Sequence, residues 1–119
     1  LEMACDSAPA DLATLLAPRL IQLAPTHRFY FVGAPVMYWG FATLPFLVPN
    51  ADAVDVAEPM TAPPARDLIR VDKGAVFIVL QERADELRFI QQTWERGDAI
   101  EVRAPSDGRI LATLYVISQ

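Results

Sequence analysis

At 119 residues and 13.2 kDa, with 53% hydrophobic and 21% charged residues, the composition is that of one folded domain and excludes a disordered tail. A net charge of −5 and a pI of about 4.7 exclude a basic nucleic-acid surface and make anionic lipid a poor partner. The lone His27 and lone Cys5 provide neither a zinc ligand set nor an intrachain disulfide, so no metal and no cofactor is expected.

Residue 1 is Leu and no signal-peptide pattern precedes the domain, so the chain reads as a fragment of a longer protein. Ser7, Pro9 and Asp11 mark a helix start. Leu12, Leu15, Leu16, Leu20 and Leu23 then recur at helical spacing, with Pro18 expected to kink or split the helix. Pro25 and Thr26 end it, and 27–32 is the first strand.

That strand opens the most informative stretch, 29–51, an uncharged run of 23 residues (FYFVGAPVMYWGFATLPFLVPNA). It is long enough to span a bilayer as a helix. Gly33, Pro35, Gly40, Pro45 and Pro49 favour a buried strand that ends in a Gly-Ala-Pro turn. A short buried helix or irregular segment follows at 39–48.

Residues 52–57 alternate as a half-buried strand does, and 58–65 form a Pro-rich loop with a helical turn beyond it at 66–69. GAVFIVL, 74–80, is the clearest central strand. In 82–94, Ala84, Leu87, Ile90 and Trp94 form one helical stripe, with Gly97 as the left-handed stop. A strand at 100–103, a turn at 105–108 and a last strand at 110–117 complete the chain; Asp107-Gly108 suits an antiparallel hairpin. This order predicts a single α/β domain over 1–119. Its sheet is mostly parallel, covered on both faces, with an antiparallel C-terminal edge hairpin: a small Rossmann-like three-layer sandwich.

In such folds ligands bind beyond the carboxyl ends of the strands. Those ends carry Gly33, Pro35 and Tyr38, then Glu58, then Glu82, which are the candidate ligand-binding residues. Gly33 and Gly40 would let a backbone approach a phosphate, but their spacing matches no dinucleotide fingerprint or P-loop, and a tight turn explains them. Glu58 and Glu82 could converge as an acid/base pair, although an acid opening a helix ordinarily stabilises its dipole. Tyr38 and Trp39 suit either a sugar-stacking platform or the core. His27 has no nucleophile at triad spacing, so no catalytic residue is assigned. Arg96-Gly97-Asp98 spells an adhesion tripeptide that a helix stop explains.

Several stretches together carry a resemblance. Phe29-Tyr30-Phe31-Val32-Gly33-Ala34-Pro35 leads to Met37-Tyr38 and Phe46-Leu47. Val54-Asp55-Val56 and Gly74-Ala75-Val76-Phe77-Ile78 follow, then Gly108-Arg109-Ile110-Leu111 and Leu114-Tyr115. From about Ala10 to Ile117 the chain resembles the soluble C-terminal domain of bacterial membrane glycosyltransferases similar to dolichyl-phosphate-mannose protein mannosyltransferases. The resemblance implies a multi-span parent on the extracytoplasmic face of the membrane that takes sugar from a polyprenyl-phosphate carrier. The family's catalytic acid lies on a loop between early membrane spans, which this chain lacks, so the implied role is a non-catalytic accessory domain. Its implied partners are the membrane-embedded part of the parent and the polyprenyl-phosphate-sugar or acceptor, with no nucleic acid. Two other readings stand beside it: a free-standing small-molecule-binding or regulatory domain using the strand-end crevice, and an obligate dimer with an exposed apolar patch.

Overall fold

Two apolar runs with a period of two build the centre of the molecule. Phe29 and Phe31 point to one side of a sheet and Tyr30 and Val32 to the other; Val76, Ile78 and Leu80 share the first side, and Ala75, Phe77 and Val79 the second. A strand that is apolar on both sides needs cover on both sides. The computed structural model supplies that cover; it describes residues 8–33, 39, 47–49, 51–56, 58, 60–62, 74–105 and 107–117. In chain order the elements are α1 (Ala8–Leu23), β1 (His27–Val32), β2 (Ala53–Asp55), β3 (Gly74–Leu80) and a 3-10 helix (Gln81–Glu86). α2 (Leu87–Thr93), β4 (Asp98–Arg103) and β5 (Ile110–Ile117) follow.

The five strands form one sheet in the order β2-β1-β3-β5-β4. β1 pairs in parallel with β2 and with β3, whereas β5 is antiparallel to both β3 and β4. The sheet is therefore mixed: β1, β2, β3 and β4 share a direction and β5 opposes them. The expected antiparallel hairpin is present. Its second strand lies inside the sheet against β3, and β4 takes the edge.

α1 buries Leu12, Leu16, Ala17 and Leu20 against Phe29, Phe31, Val76, Ile78 and Leu114. On the opposite face Ile90 and Trp94 close over Tyr30, Phe77 and Tyr115. The rings of Tyr30 and Phe77 stack at 4.9 Å, and Phe77 meets Trp94 at 5.3 Å. Such ring pairs stabilise by about 0.5–1.5 kcal/mol beyond the area they bury.

Three local expectations need correction. Pro18 does not split α1, which runs unbroken from Ala8 to Leu23. The proline is exposed, so its missing N–H falls on the solvent side, where a helix can bend outward. The helix expected from residue 82 begins as the 3-10 turn, with Arg83 off helical geometry at φ −119°, ψ 23°. Gly97 is not in the left-handed region, which among the described glycines holds only Gly108, at φ 74°. A Cβ on Gly97 would overlap the Tyr115 ring, so close approach is what requires glycine there. Ser7, most of 39–48 and the turn at 66–69 lie outside the described residues. Among the described residues no helix is long and apolar enough to cross a membrane.

Candidate functional site

The order β2-β1-β3 creates a switch point. The connection leaving β1 carries Trp39, Leu47 and Val48 onto the α1 face, while the one leaving β3 carries Ile90 and Trp94 onto the opposite face. Connections that depart to opposite faces mark the carboxyl ends of β1 and β3 as the strand-end position at which α/β sheets bind ligands.

Arg83 lies just after β3 at this strand-end position. Its side chain is 7% exposed and that of Glu86 12%. Nε donates to Glu86 Oε2 and Nη2 to Glu86 Oε1, each at 2.7 Å. The same guanidinium reaches the segment after β2, with Nη1 donating to the Val56 carbonyl at 2.5 Å and Nη2 to the Glu58 carbonyl at 2.9 Å. Glu86 Oε1 also accepts the backbone N–H of Met60 at 2.8 Å. The geometry is the planar bidentate fork that suits arginine and that lysine cannot reproduce. The side-chain hydrogen bond from Arg83 is the main cause holding the Glu86 carboxyl below its ordinary value. The Met60 N–H and the arginine charge act in the same direction, against burial.

A second tie holds the backbone of Trp39, in the connection after β1. Trp39 N–H donates to Asp55 Oδ1 at 2.7 Å, and the Trp39 ring meets Phe29 at 5.8 Å and Phe31 at 6.2 Å. The half-buried indole is thus committed to the core. The ladder itself continues past β2, since Val56 N–H donates to the Phe31 carbonyl at 2.8 Å.

Of the residues singled out from sequence, Gly33 lies buried directly after β1, at this strand-end position. Glu58 and Glu82 are both exposed, and Glu58 contributes its carbonyl to the arginine cradle. Pro35 and Tyr38 lie outside the described residues. Arg83, Glu86 and Asp55 were not singled out. The signal for the first two was an oppositely charged i, i+3 pair one turn after a buried strand. His27 begins β1, at the far end of that strand from Gly33, where its Nδ1 lies 2.8 Å from Thr26 Oγ1. Arg96 and Asp98 are exposed on either side of Gly97, whose N–H donates to the Tyr115 hydroxyl at 3.1 Å; that hydroxyl donates in turn to the Trp94 carbonyl. The tripeptide leads from a turn into the first residue of β4 and is anchored to the core through Gly97.

An apolar cavity of about 290 Å³ lies beside the C-terminal end of α1, lined by Ile21, Ala24, Pro25, Val48 and Pro49. Among the described residues no three His, Cys, Asp or Glu side chains stand close enough to hold a metal ion. Arg83 and Glu86 tie down the backbone of Val56, Glu58 and Met60. No protein-family model, curated protein or solved structure matches the chain.

Proposed function

We propose that the chain is a non-catalytic accessory domain whose recognition surface is the pair of loops after β1 and β2. The observation that carries this reading is the arginine cradle: Arg83 and Glu86 direct their hydrogen bonds inward onto the Val56 and Glu58 carbonyls and the Met60 N–H. Ordering a loop before it meets a partner lowers the entropy cost of recognition. The shared direction of β1, β2, β3 and β4 supports a small Rossmann-like three-layer sandwich as the architecture. The sequence resemblance supplies the partner class. In this reading the domain sits on the extracytoplasmic face of the membrane, against the membrane-embedded part of a polyprenyl-phosphate-sugar-dependent glycosyltransferase, and positions acceptor or carrier.

Tyr38→Ala and Glu58→Ala in the intact parent test the proposal. Glycosyl transfer is expected to fall while the thermal unfolding temperature of the domain stays within a few degrees of wild type. Unchanged transfer by both variants sinks it. The switch point also favours a second reading, a small-molecule-binding or regulatory domain. That reading predicts saturable chemical-shift changes near Gly33 with a panel of sugars and nucleotides; a flat response across the panel removes it.

A further inference from the structure

β4 ends the described sheet, with β5 on one side and no described strand on the other. At its C-terminal end the Ala104 N–H donates to the Arg109 carbonyl at 2.8 Å, and the Gly108 N–H donates to the Ala104 carbonyl at 2.9 Å. Ala104 therefore faces the hairpin; the register shift between Val102 and Arg103 puts its extra residue, Leu111, on β5, so alternation along β4 is kept and turns the backbone groups of Arg103 and Glu101 away from β5. An edge of this kind accepts another strand unless its side chains prevent it.

Here the charges are self-complementary. Glu101 and Arg103 flank Val102 on one face of the strand, half exposed at 49% and 52%. When two copies pair antiparallel about Val102, Glu101 of each lies directly opposite Arg103 of the other. Their outward backbone groups then make about four hydrogen bonds across the two-fold axis. In the single chain Arg103 Nη2 already donates to Glu101 Oε1 at 2.6 Å, so pairing exchanges an ion pair within one strand for a pair across strands. Beneath this seam Val102 is buried in the α1-side core with Ile100 packed against it, so the apolar layers of the two copies meet along the same line.

We propose that β4 is a self-association edge, through which two copies of this chain join their sheets about Val102. The proposal is independent of the candidate site, which lies at the strand ends of β1 and β3.

Sedimentation equilibrium of the chain, of Arg103→Glu and of the double variant Glu101→Arg/Arg103→Glu tests it. The wild-type chain is expected to dimerise. Arg103→Glu sets like charges against each other on both sides of the axis and should weaken the dimer by about tenfold or more. The double variant reverses both signs, recreates the complementarity and should regain the dimer. Both positions are half exposed, so the fold should survive each change, which circular dichroism checks. A wild-type monomer across the concentration range overturns the proposal. So does a dimer indifferent to Arg103→Glu, which would place the contact elsewhere, for instance at the exposed Ile21. A dimer lost in the single variant and not regained in the double overturns it as well.

Discussion

Arg83 grips both carboxylate oxygens of Glu86, through Nε and Nη2 at 2.7 Å each, across one i, i+3 step. Arg83 sits at a kink in the 3-10 turn, at φ −119° and ψ 23°, three residues before Glu86. From this kinked position its remaining donors reach the Val56 and Glu58 carbonyls in the segment after β2. A buried charge pair with its hydrogen bonds satisfied contributes modestly as a whole, but removing one partner strands the other.

Arg83→Ala is therefore expected to destabilise the domain by about 3–5 kcal/mol, and Glu86→Ala by less, because Arg83 keeps its two carbonyl partners. The double variant should cost less than the sum, with a coupling of about 1–3 kcal/mol. Urea unfolding of the four proteins measures it. Strict additivity would show that the fork contributes nothing as a pair.

The Glu86 carboxyl gives the acid limb of stability a defined sign. Its folded value lies below the ordinary glutamate value of 4.5, chiefly through the Arg83 hydrogen bond. The unfolded state therefore binds the proton first. The stabilisation is fully present above 4.5 and is lost as pH falls through the depressed folded value. Urea midpoints followed from neutral pH down to about pH 3 should drop more steeply for wild type than for Glu86→Gln, which has no proton to take up there. Parallel curves would count against the fork as the source.

How much of this was legible in the sequence depended on the kind of signal. β1 and β3 have the bounds expected from sequence, because a continuous apolar run between turn residues leaves little choice of ends. The hairpin was legible from Asp107-Gly108, where Gly108 is left-handed and Asp107 Oδ1 accepts the Arg109 N–H at 3.0 Å. Strand order was not, since nothing in the periodicity of Ile110–Ile117 says that it inserts beside β3. Gly33, Glu58 and Glu82 mark the strand ends, yet the side chains that make the hydrogen bonds there went unseen. Arg83 and Glu86 match a solvated helix face in pattern, whereas in the fold they are nearly buried, with Arg83 at a kink that the pattern does not announce.

Gly74 shows a constraint of another kind. It pairs with His27 across β1 and β3, and a Cβ there would lie 2.6 Å from the His27 ring and 2.7 Å from the Ile117 carbonyl oxygen. Gly74→Ala should cost about 1–3 kcal/mol, as overpacking does. His27→Ala in the same chain should recover only part of that loss, because the Ile117 carbonyl belongs to β5 and stays in place. Full recovery, read from thermal unfolding, would show that the ring alone sets the limit.

Gly97 and Gly108 should answer to asparagine in opposite ways. Gly108 has φ 74°, and a Cβ added there would meet nothing within 4 Å, so its need is conformational. Asparagine tolerates the left-handed region better than alanine does, and Gly108→Asn should therefore be milder than Gly108→Ala, which should cost about 1–2 kcal/mol. Gly97 lies against the Tyr115 ring, whose carbons occupy the space a Cβ would need, so its need is room. Gly97→Asn should be at least as harmful as Gly97→Ala, and both should cost about 1–3 kcal/mol. Tyr115→Phe leaves the ring in the way and should not rescue either, while adding the loss of the Trp94 and Gly97 hydrogen bonds. Tolerance of asparagine at Gly97, measured by urea unfolding, would return that residue to the role of a left-handed helix stop.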